Sequence, residues 1–146
     1  MSSQIKLNYF RQAVANLNAV MQEPRTDVVR DCAIKRYEIC YELSWKSIQE
    51  LLKSEGLEIC KSPKRCFKEA FQQGWINDEE GFAEMVDKRN LTAHTYDKEL
   101  AEHVYQKIND YLQLFESLNQ KVHLHYFCKI QIFQHHIKIY YVHVDG

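Results

Sequence analysis

Residues 89–96 carry three side-chain types that together can act on a phosphate group. Arg89 is followed by four residues and then His94, and Tyr96 lies two positions further on. A histidine side chain can accept or donate a proton near neutral pH, and an arginine offers a fixed fork of donors that matches phosphate oxygens. Tyr96 adds a hydroxyl that can be modified. This segment is therefore the first candidate for a functional site.

The spacing of this segment restricts how its side chains can cooperate. On an ideal helix, residues five apart point about 140° away from each other, so Arg89 and His94 do not share a face, whereas Asn90 and His94 do. Thr95 and Asp97 are of residue types that favour the N-cap position of a following helix, so we expect the preceding helix to end near His94. The alternative is a surface arginine and a histidine that binds the last carbonyls of a helix.

Three further blocks give this segment a family context. They are Tyr41–Lys46, Ser62–Phe71 and Glu84–Asp97, in that order. In the segment 89–96 itself, the arginine is followed by any four residues, a histidine, any one residue and a tyrosine. With this motif, the three blocks resemble the HEPN superfamily, in the form called the nucleotidyltransferase substrate-binding protein family. Such proteins are encoded beside a minimal nucleotidyltransferase (MNT). The resemblance covers roughly residues 5 to 120.

The resemblance implies a metal-independent endoribonuclease, the toxin of a HEPN/MNT toxin–antitoxin pair. In such an enzyme His94 would be the general acid or base, Arg89 would neutralise the phosphorane, and Asn90 would orient the phosphate. It also implies a homodimer with one shared cleft, RNA as substrate, and transfer of AMP to Tyr96 by the MNT partner from an adjacent gene. The resemblance implies no cofactor and no metal.

A second function fits the same residues. The chain could be a non-catalytic substrate-binding subunit of a two-component nucleotidyltransferase. It lacks the Gly-Ser and paired-Asp pattern of a nucleotidyltransferase active site, so it is a partner of the transferase. Whether the chain is an enzyme at all stays open at the level of sequence.

Composition limits the remaining function classes. The 146 residues suffice for one domain, which we expect to be a helical bundle over residues 1–121 with a tail over residues 122–146. The net charge of −1 argues against broad electrostatic capture of nucleic acid. Five cysteines without a C-x-x-C pair predict reduced thiols in a cytoplasm. The sequence contains no apolar run of the kind that would predict a signal peptide or a membrane span.

The pattern of apolar residues predicts an all-α, up-and-down bundle with a four-helix core and about five helices. The chain has only four Gly and two Pro, and its apolar residues recur at steps of three and four. The first helix should end before Pro24, and the long second helix, which starts after Thr26, should end at Gly56. Ser62 and Pro63 should start the third. The last should run from about residue 97 to 120.

The tail differs in composition from the bundle. Val122 to His143 contains no acid and holds five of the seven histidines. Its short alternations of apolar and polar residues suit strands better than a helix, and a loosely ordered tail is the alternative. The pairs His123 with His125 and His135 with His136 could bind a metal, but no nearby cysteine or carboxylate completes a set, and we expect none.

Two clusters of charged residues outside the segment 89–96 have more than one interpretation. Lys61, Lys64 and Arg65, with Lys68, surround the predicted start of the third helix. They could bind phosphate or RNA there, or they could form an ordinary solvated helix face. Glu38 and Glu42 lie four apart on one face of the second helix. Paired carboxylates could form a metal site or an acid–base pair, but we expect salt bridges to neighbouring helices, with Arg89 as one candidate partner.

Overall fold

The chain folds into helices connected by short loops. A computed structural model describes the backbone of residues 3–144 and the side chains of residues 3–138. Within the described residues there are five α-helices, one short 3₁₀ helix and no strand, which confirms the predicted all-α class. In chain order they are α1 (Ser3–Met21), α2 (Asp27–Ser54), α3 (Pro63–Gln72), α4 (Glu79–Leu91), the 3₁₀ helix Thr92–His94, and α5 (Lys98–Val144).

The helix ends follow from local sequence. Thr26 caps α2 by accepting a hydrogen bond from the backbone N–H of Val29, and Ser62 caps α3 in the same way, with Pro63 as the first helical residue. Gly56 and Gly74, which follow α2 and α3, have φ values of +70° and +78°. Glycine adopts that backbone conformation more readily than other residues, and the predicted end of the second helix at Gly56 is confirmed.

Aromatic side chains hold α2 against α5 and α4. The Tyr37 side chain is fully buried, and its ring stacks on the ring of Tyr111 with centroids 5.6 Å apart. The Tyr37 hydroxyl donates a 2.7 Å hydrogen bond to the backbone carbonyl of Met85 in α4. Phe115 packs against Tyr37 at 6.1 Å and against Phe10 of α1 at 6.3 Å. This cluster fixes where α4 ends relative to α2, and therefore where Arg89 lies.

The buried tyrosines should make the fold sensitive to alkali. Burial raises the pKa of Tyr41 to about 12, and burial, as the largest cause, also raises the pKa of Tyr37 and of Tyr111 well above the usual range. The folded chain therefore keeps protons that the unfolded chain releases above about pH 10. The contribution of these groups to the free energy of unfolding is complete below pH 10. It decreases as the pH rises further, by up to about 1.4 kcal/mol per pH unit per group. We expect the urea concentration at the unfolding midpoint to decrease as the pH is raised from 9 to 11.5. A midpoint that stays constant over this range would contradict the expectation.

The cysteines depart from the prediction of reduced thiols. Cys60 and Cys66 form a disulfide, with their Cα atoms 5.1 Å apart. Neither the odd number of cysteines nor the absence of a C-x-x-C pair excludes this disulfide, because Cys60 lies in the loop before α3 and Cys66 in the first turn of that helix, close enough to bond. Cys32, Cys40 and Cys128 carry free thiols, and burial raises the pKa of Cys40 to about 12.

The prediction for the tail is also wrong. Among the described residues after Gln120 no strand forms; α5 continues as one helix to Val144. Between Lys121 and Val144 the sequence has no Gly or Pro that would stop a helix, and Val122 is buried in the core. His123 contacts the backbone carbonyl of Leu7 at 3.2 Å, and Lys129 binds the end of α2 through Ser54 and Glu55. The alternating pattern was therefore outweighed by helix-compatible packing against α1 and α2.

No helix among the described residues is long and apolar enough to cross a lipid bilayer.

Candidate functional site

The motif lies where α4 passes into α5. α4 ends at Leu91, and the chain tightens into the 3₁₀ helix before α5 begins, so the predicted end of the helix near His94 is confirmed. Thr92 stabilises this change by donating a 2.7 Å hydrogen bond to the backbone carbonyl of Arg89. Asp97 then caps α5 by accepting a 2.9 Å hydrogen bond from the N–H of Glu99. The segment between the two helices is thus fixed at both ends.

Arg89 is held in place by three neighbours. Its Nη1 donates a 2.7 Å hydrogen bond to the hydroxyl of Thr92, and its Nη2 lies 3.6 Å from a carboxylate oxygen of Glu38 in α2. The guanidinium also lies 6.0 Å from the centre of the Tyr41 ring. The predicted ion pair between Glu38 and Arg89 is therefore confirmed, whereas Glu42 pairs with Lys46 of its own helix at 3.8 Å. These contacts orient the guanidinium before any ligand arrives.

One donor of Arg89 is unused. Its Nε is buried and has no hydrogen-bond partner among the described residues. A buried donor without a partner costs free energy, on the order of 1–3 kcal/mol, and such groups in folded proteins call for an explanation. An anion that reaches the Arg89 guanidinium would stabilise this part of the fold.

His94 and Tyr96 form a second pair. Nδ1 of His94 lies 3.2 Å from the Tyr96 hydroxyl, and the two rings meet edge to face with centroids 5.9 Å apart. Both side chains are exposed, and 84% of the Tyr96 surface is accessible. Asn90, at the end of α4, is exposed as well. A reagent or a second protein can therefore reach the phenol, the imidazole and the Asn90 amide from solvent.

The structure separates Arg89 from the other two residues of the predicted trio, His94 and Tyr96, which contact each other. Arg89 contacts Thr92, Glu38 and Tyr41, whereas His94 contacts Tyr96. Within the described residues no hydrogen bond or ring contact joins Arg89 to His94. The five-residue spacing explains this division, because the short 3₁₀ turn does not bring the two side chains onto one face. A single copy of the chain does not present both groups as one contacting unit.

A cavity opens beside Tyr96. Its volume is about 320 Å³, and it is bounded by Thr95 and Tyr96 on one side and by α2 on the other, through Asp31, Ile34, Lys35 and Glu38. Sequence reasoning did not identify Asp31 or Lys35. The signal was present, because positions 31, 34, 35 and 38 share one face of a helix, and that face is polar except for Ile34. This polar face became a candidate binding surface only when the fold showed that it lies beside Tyr96.

The predicted basic cluster is split between two other cavities. Lys61 and Arg65 line one of about 390 Å³ together with the acids Glu58 and Glu69. Lys64 lines another, of about 210 Å³, with Lys68 and Glu79. Arg65 also pairs with Glu69 at 3.9 Å. Neither cavity is lined by a residue of the segment 89–96, so the structure does not join this cluster to Arg89 and His94.

Comparison with known proteins places the chain in a family. A family model described as "nucleotidyltransferase substrate binding protein like" matches residues 5–123. The chain belongs to this family. The match confirms the resemblance inferred from the motif, and it covers α1 to α4, the 3₁₀ turn and the part of α5 that packs in the bundle.

A curated relative and a solved structure are similar to the chain over much of its length. Over 97 residues the chain is 35% identical to the probable ribonuclease HepT of Haemophilus influenzae, and the match covers 61% of this chain and 66% of that protein, just under two thirds of its length. A solved structure from Thermus thermophilus has 36% identity and a TM-score of 0.71, covering 77% of this chain and 98% of the other.

A more distant structure shares the fold. It is the tri-AMPylated HEPN toxin of Shewanella oneidensis in complex with an MNT antitoxin. It has 17% identity and a TM-score of 0.67, with 84% of this chain and 96% of the other covered.

Proposed function

We propose that this chain is the RNA-cleaving toxin of a two-gene pair, silenced when a minimal nucleotidyltransferase transfers AMP to Tyr96. The observation that carries the proposal is the 3.2 Å contact between His94 and an exposed Tyr96 in a member of this family. The hydroxyl that we propose is modified therefore lies within hydrogen-bond reach of the proposed general acid or base. A relative by sequence is a probable ribonuclease, and a protein with the same fold is an AMPylated toxin bound to its antitoxin; both support the proposal.

Cleavage would use the 2′-hydroxyl of the RNA itself. That oxygen attacks the adjacent phosphorus, the bond from phosphorus to the 5′-oxygen breaks, and a cyclic phosphate is left on one product. His94 would move a proton to or from one of these oxygens, and Arg89 would neutralise the charge that develops on the phosphorane. Asn90 would orient the phosphate. None of these steps needs a metal ion.

We propose that the working form is a homodimer. Arg89 and His94 are not in contact within one chain, so a cleft lined by two copies of each would supply the missing proximity. Light scattering at micromolar concentration should report a dimer, and a monomer would contradict this part of the proposal.

We place the protein in the cytoplasm, where RNA and ATP are available to the pair. The basic residues Lys61, Lys64 and Arg65 are an additional RNA-contacting surface in this proposal. Because each of their two cavities also contains an acid, we expect them to contribute less than Arg89.

The growth of a host cell tests the proposal. Expression without the partner should slow growth, and His94→Ala should relieve the effect, because the variant lacks the proton-transfer group. Co-expression with the neighbouring gene should also restore growth, and it should add the mass of AMP to the intact protein. In Tyr96→Phe, neither the added mass nor the restored growth should be observed. Equal toxicity of wild type and His94→Ala would overturn the assignment of His94.

A non-catalytic substrate-binding subunit is the second candidate. The family description and the cavity beside Tyr96 favour it, because such a subunit needs a groove and no acid–base group. A wild-type protein that neither slows growth nor cuts RNA, but that binds the transferase, would support this function over the first.

A further inference from the structure

The contact between His94 and Tyr96 has a geometry suited to making the phenol a nucleophile. The Tyr96 oxygen lies 3.2 Å from Nδ1 of His94. In the tautomer that carries its hydrogen on Nε2, the imidazole accepts the phenol proton at Nδ1. A base within hydrogen-bond reach of a hydroxyl, with the hydroxyl open to solvent, is the arrangement that activates serine and cysteine nucleophiles.

We propose that His94 is the general base that activates Tyr96 for its own modification, and that Lys35 binds the phosphate that arrives there. The inference rests on the proposed function, because it supplies the chemistry of the AMP transfer. The Tyr96 oxygen forms a bond to the α-phosphorus of ATP, the bond from that phosphorus to the bridging oxygen breaks, and pyrophosphate leaves. The phenol proton moves to Nδ1 of His94.

Lys35 is assigned by the charges around the cavity. Of the two carboxylates that line it, Asp31 is paired with Nε of Arg30 at 3.1 Å and Glu38 with Arg89 at 3.6 Å. Lys35 has no ion-pair partner in the part of the chain that the structure describes. The ammonium of Lys35 is therefore the charge left to bind an anion, and it lines the same cavity as the Tyr96 ring.

This arrangement links activity to silencing. The histidine that cleaves RNA is the one that prepares the acceptor tyrosine, so only a chain with a working His94 would be modified efficiently. After transfer, the nucleotide would occupy the Tyr96 oxygen and remove the hydroxyl that His94 contacts. The added phosphate would also repel the RNA backbone.

A reactive adenosine tests the pair without the partner protein. 5′-(Fluorosulfonyl)benzoyladenosine forms a bond from a phenol oxygen to sulfur as fluoride leaves, and it needs the same loss of a phenol proton. We expect it to label Tyr96 faster than Tyr9, an exposed tyrosine of α1 with 53% of its surface accessible. Peptide mass spectrometry would give both rates in one sample, so that Tyr9 serves as the internal control.

Substitution of His94 gives the decisive result. In His94→Ala the labelling of Tyr96 should fall by about 100-fold or more, while that of Tyr9 stays constant. Added imidazole should restore much of the rate, because it replaces the missing base, which a structural role of His94 would not allow. His103→Ala, at an exposed position of α5, is the matched control. Equal labelling in wild type and His94→Ala, or no rescue by imidazole, would overturn the role of His94.

The same variants should then be tested with the partner nucleotidyltransferase, ATP and Mg²⁺. We expect His94→Ala to lower kcat for the adduct and Lys35→Ala to raise KM for the modification. An adduct that forms at the wild-type rate in His94→Ala would overturn this inference and leave the proposed function intact. A wild-type protein that gains no adduct, although the adenosine probe labels Tyr96 through His94, would overturn the proposed silencing and leave the activated tyrosine standing.

Discussion

Replacing His94 with alanine should slow RNA cleavage by about 10²- to 10⁴-fold, the usual contribution of a general acid or base. The His94 side chain is exposed, so the free energy of unfolding should change by no more than about 0.5 kcal/mol. Cleavage of a fluorescent RNA in the presence of a chelator measures the rate, and thermal unfolding measures the fold. The loss of activity should therefore occur in a protein of wild-type stability.

His103→Ala is the matched control for this experiment, because it removes an exposed histidine from α5 outside the motif. Arg89→Ala should lower the rate by about 10²- to 10³-fold, but it should also lower the melting temperature, since Arg89 binds Thr92 and Glu38. The proposed acid–base role of His94 would be refuted by a variant that cuts RNA at the wild-type rate.

Replacing Tyr37 with alanine should lower the free energy of unfolding by about 3–5 kcal/mol, as for other large aromatic side chains removed from a core. The substitution leaves a cavity between Tyr111 and Phe115 and removes the hydrogen bond from the Tyr37 hydroxyl to the Met85 carbonyl, which links α2 to α4. Urea unfolding at pH 7 measures the change. Because Met85 lies in α4, four residues before Arg89, we also expect a lower cleavage rate.

Tyr37→Phe separates the two contributions. It keeps the ring and loses only the hydroxyl, so the cost should be about 0.5–1.5 kcal/mol, the usual net contribution of one hydrogen bond, because the Met85 carbonyl keeps its partner within the helix α4. Tyr9→Ala, at an exposed site on α1, should cost little by comparison. A Tyr37→Ala protein as stable as Tyr9→Ala would show that the aromatic cluster does not hold α4 in place.

The helices were predictable from sequence because their causes are local. Thr26, Ser62, Gly56 and Gly74 set helix ends through caps and backbone conformation, and each acts within a few residues of its own position. The ion pair of Glu38 with Arg89 followed from the need to pair a partly buried acid. The helix ends required no knowledge of distant contacts, whereas the ion pair joins α2 to α4, and the sequence named Arg89 only as one candidate partner.

The remaining features depend on contacts between distant parts of the chain. Asp31 and Lys35 became candidates only when α2 was placed against Tyr96. The disulfide between Cys60 and Cys66 depends on the path of the loop before α3. The tail resembled strands because alternation and helical spacing coexist in it, and the contacts of His123 and Lys129 with other helices favour the helix.

The continuous α5 divides the molecule into regions that should open independently. At 1.5 Å per residue its 47 residues extend for about 70 Å, whereas the 28 residues of α2 extend for about 42 Å. Through Val122 the helix contributes core residues, but the side chains of residues 131–138 are all exposed. Amide protons before Val122 should therefore exchange with deuterium only when the whole bundle unfolds, and those after residue 130 should exchange through fraying of the helix end. The last turns of α5 would then unwind and re-form many times during the life of one folded molecule.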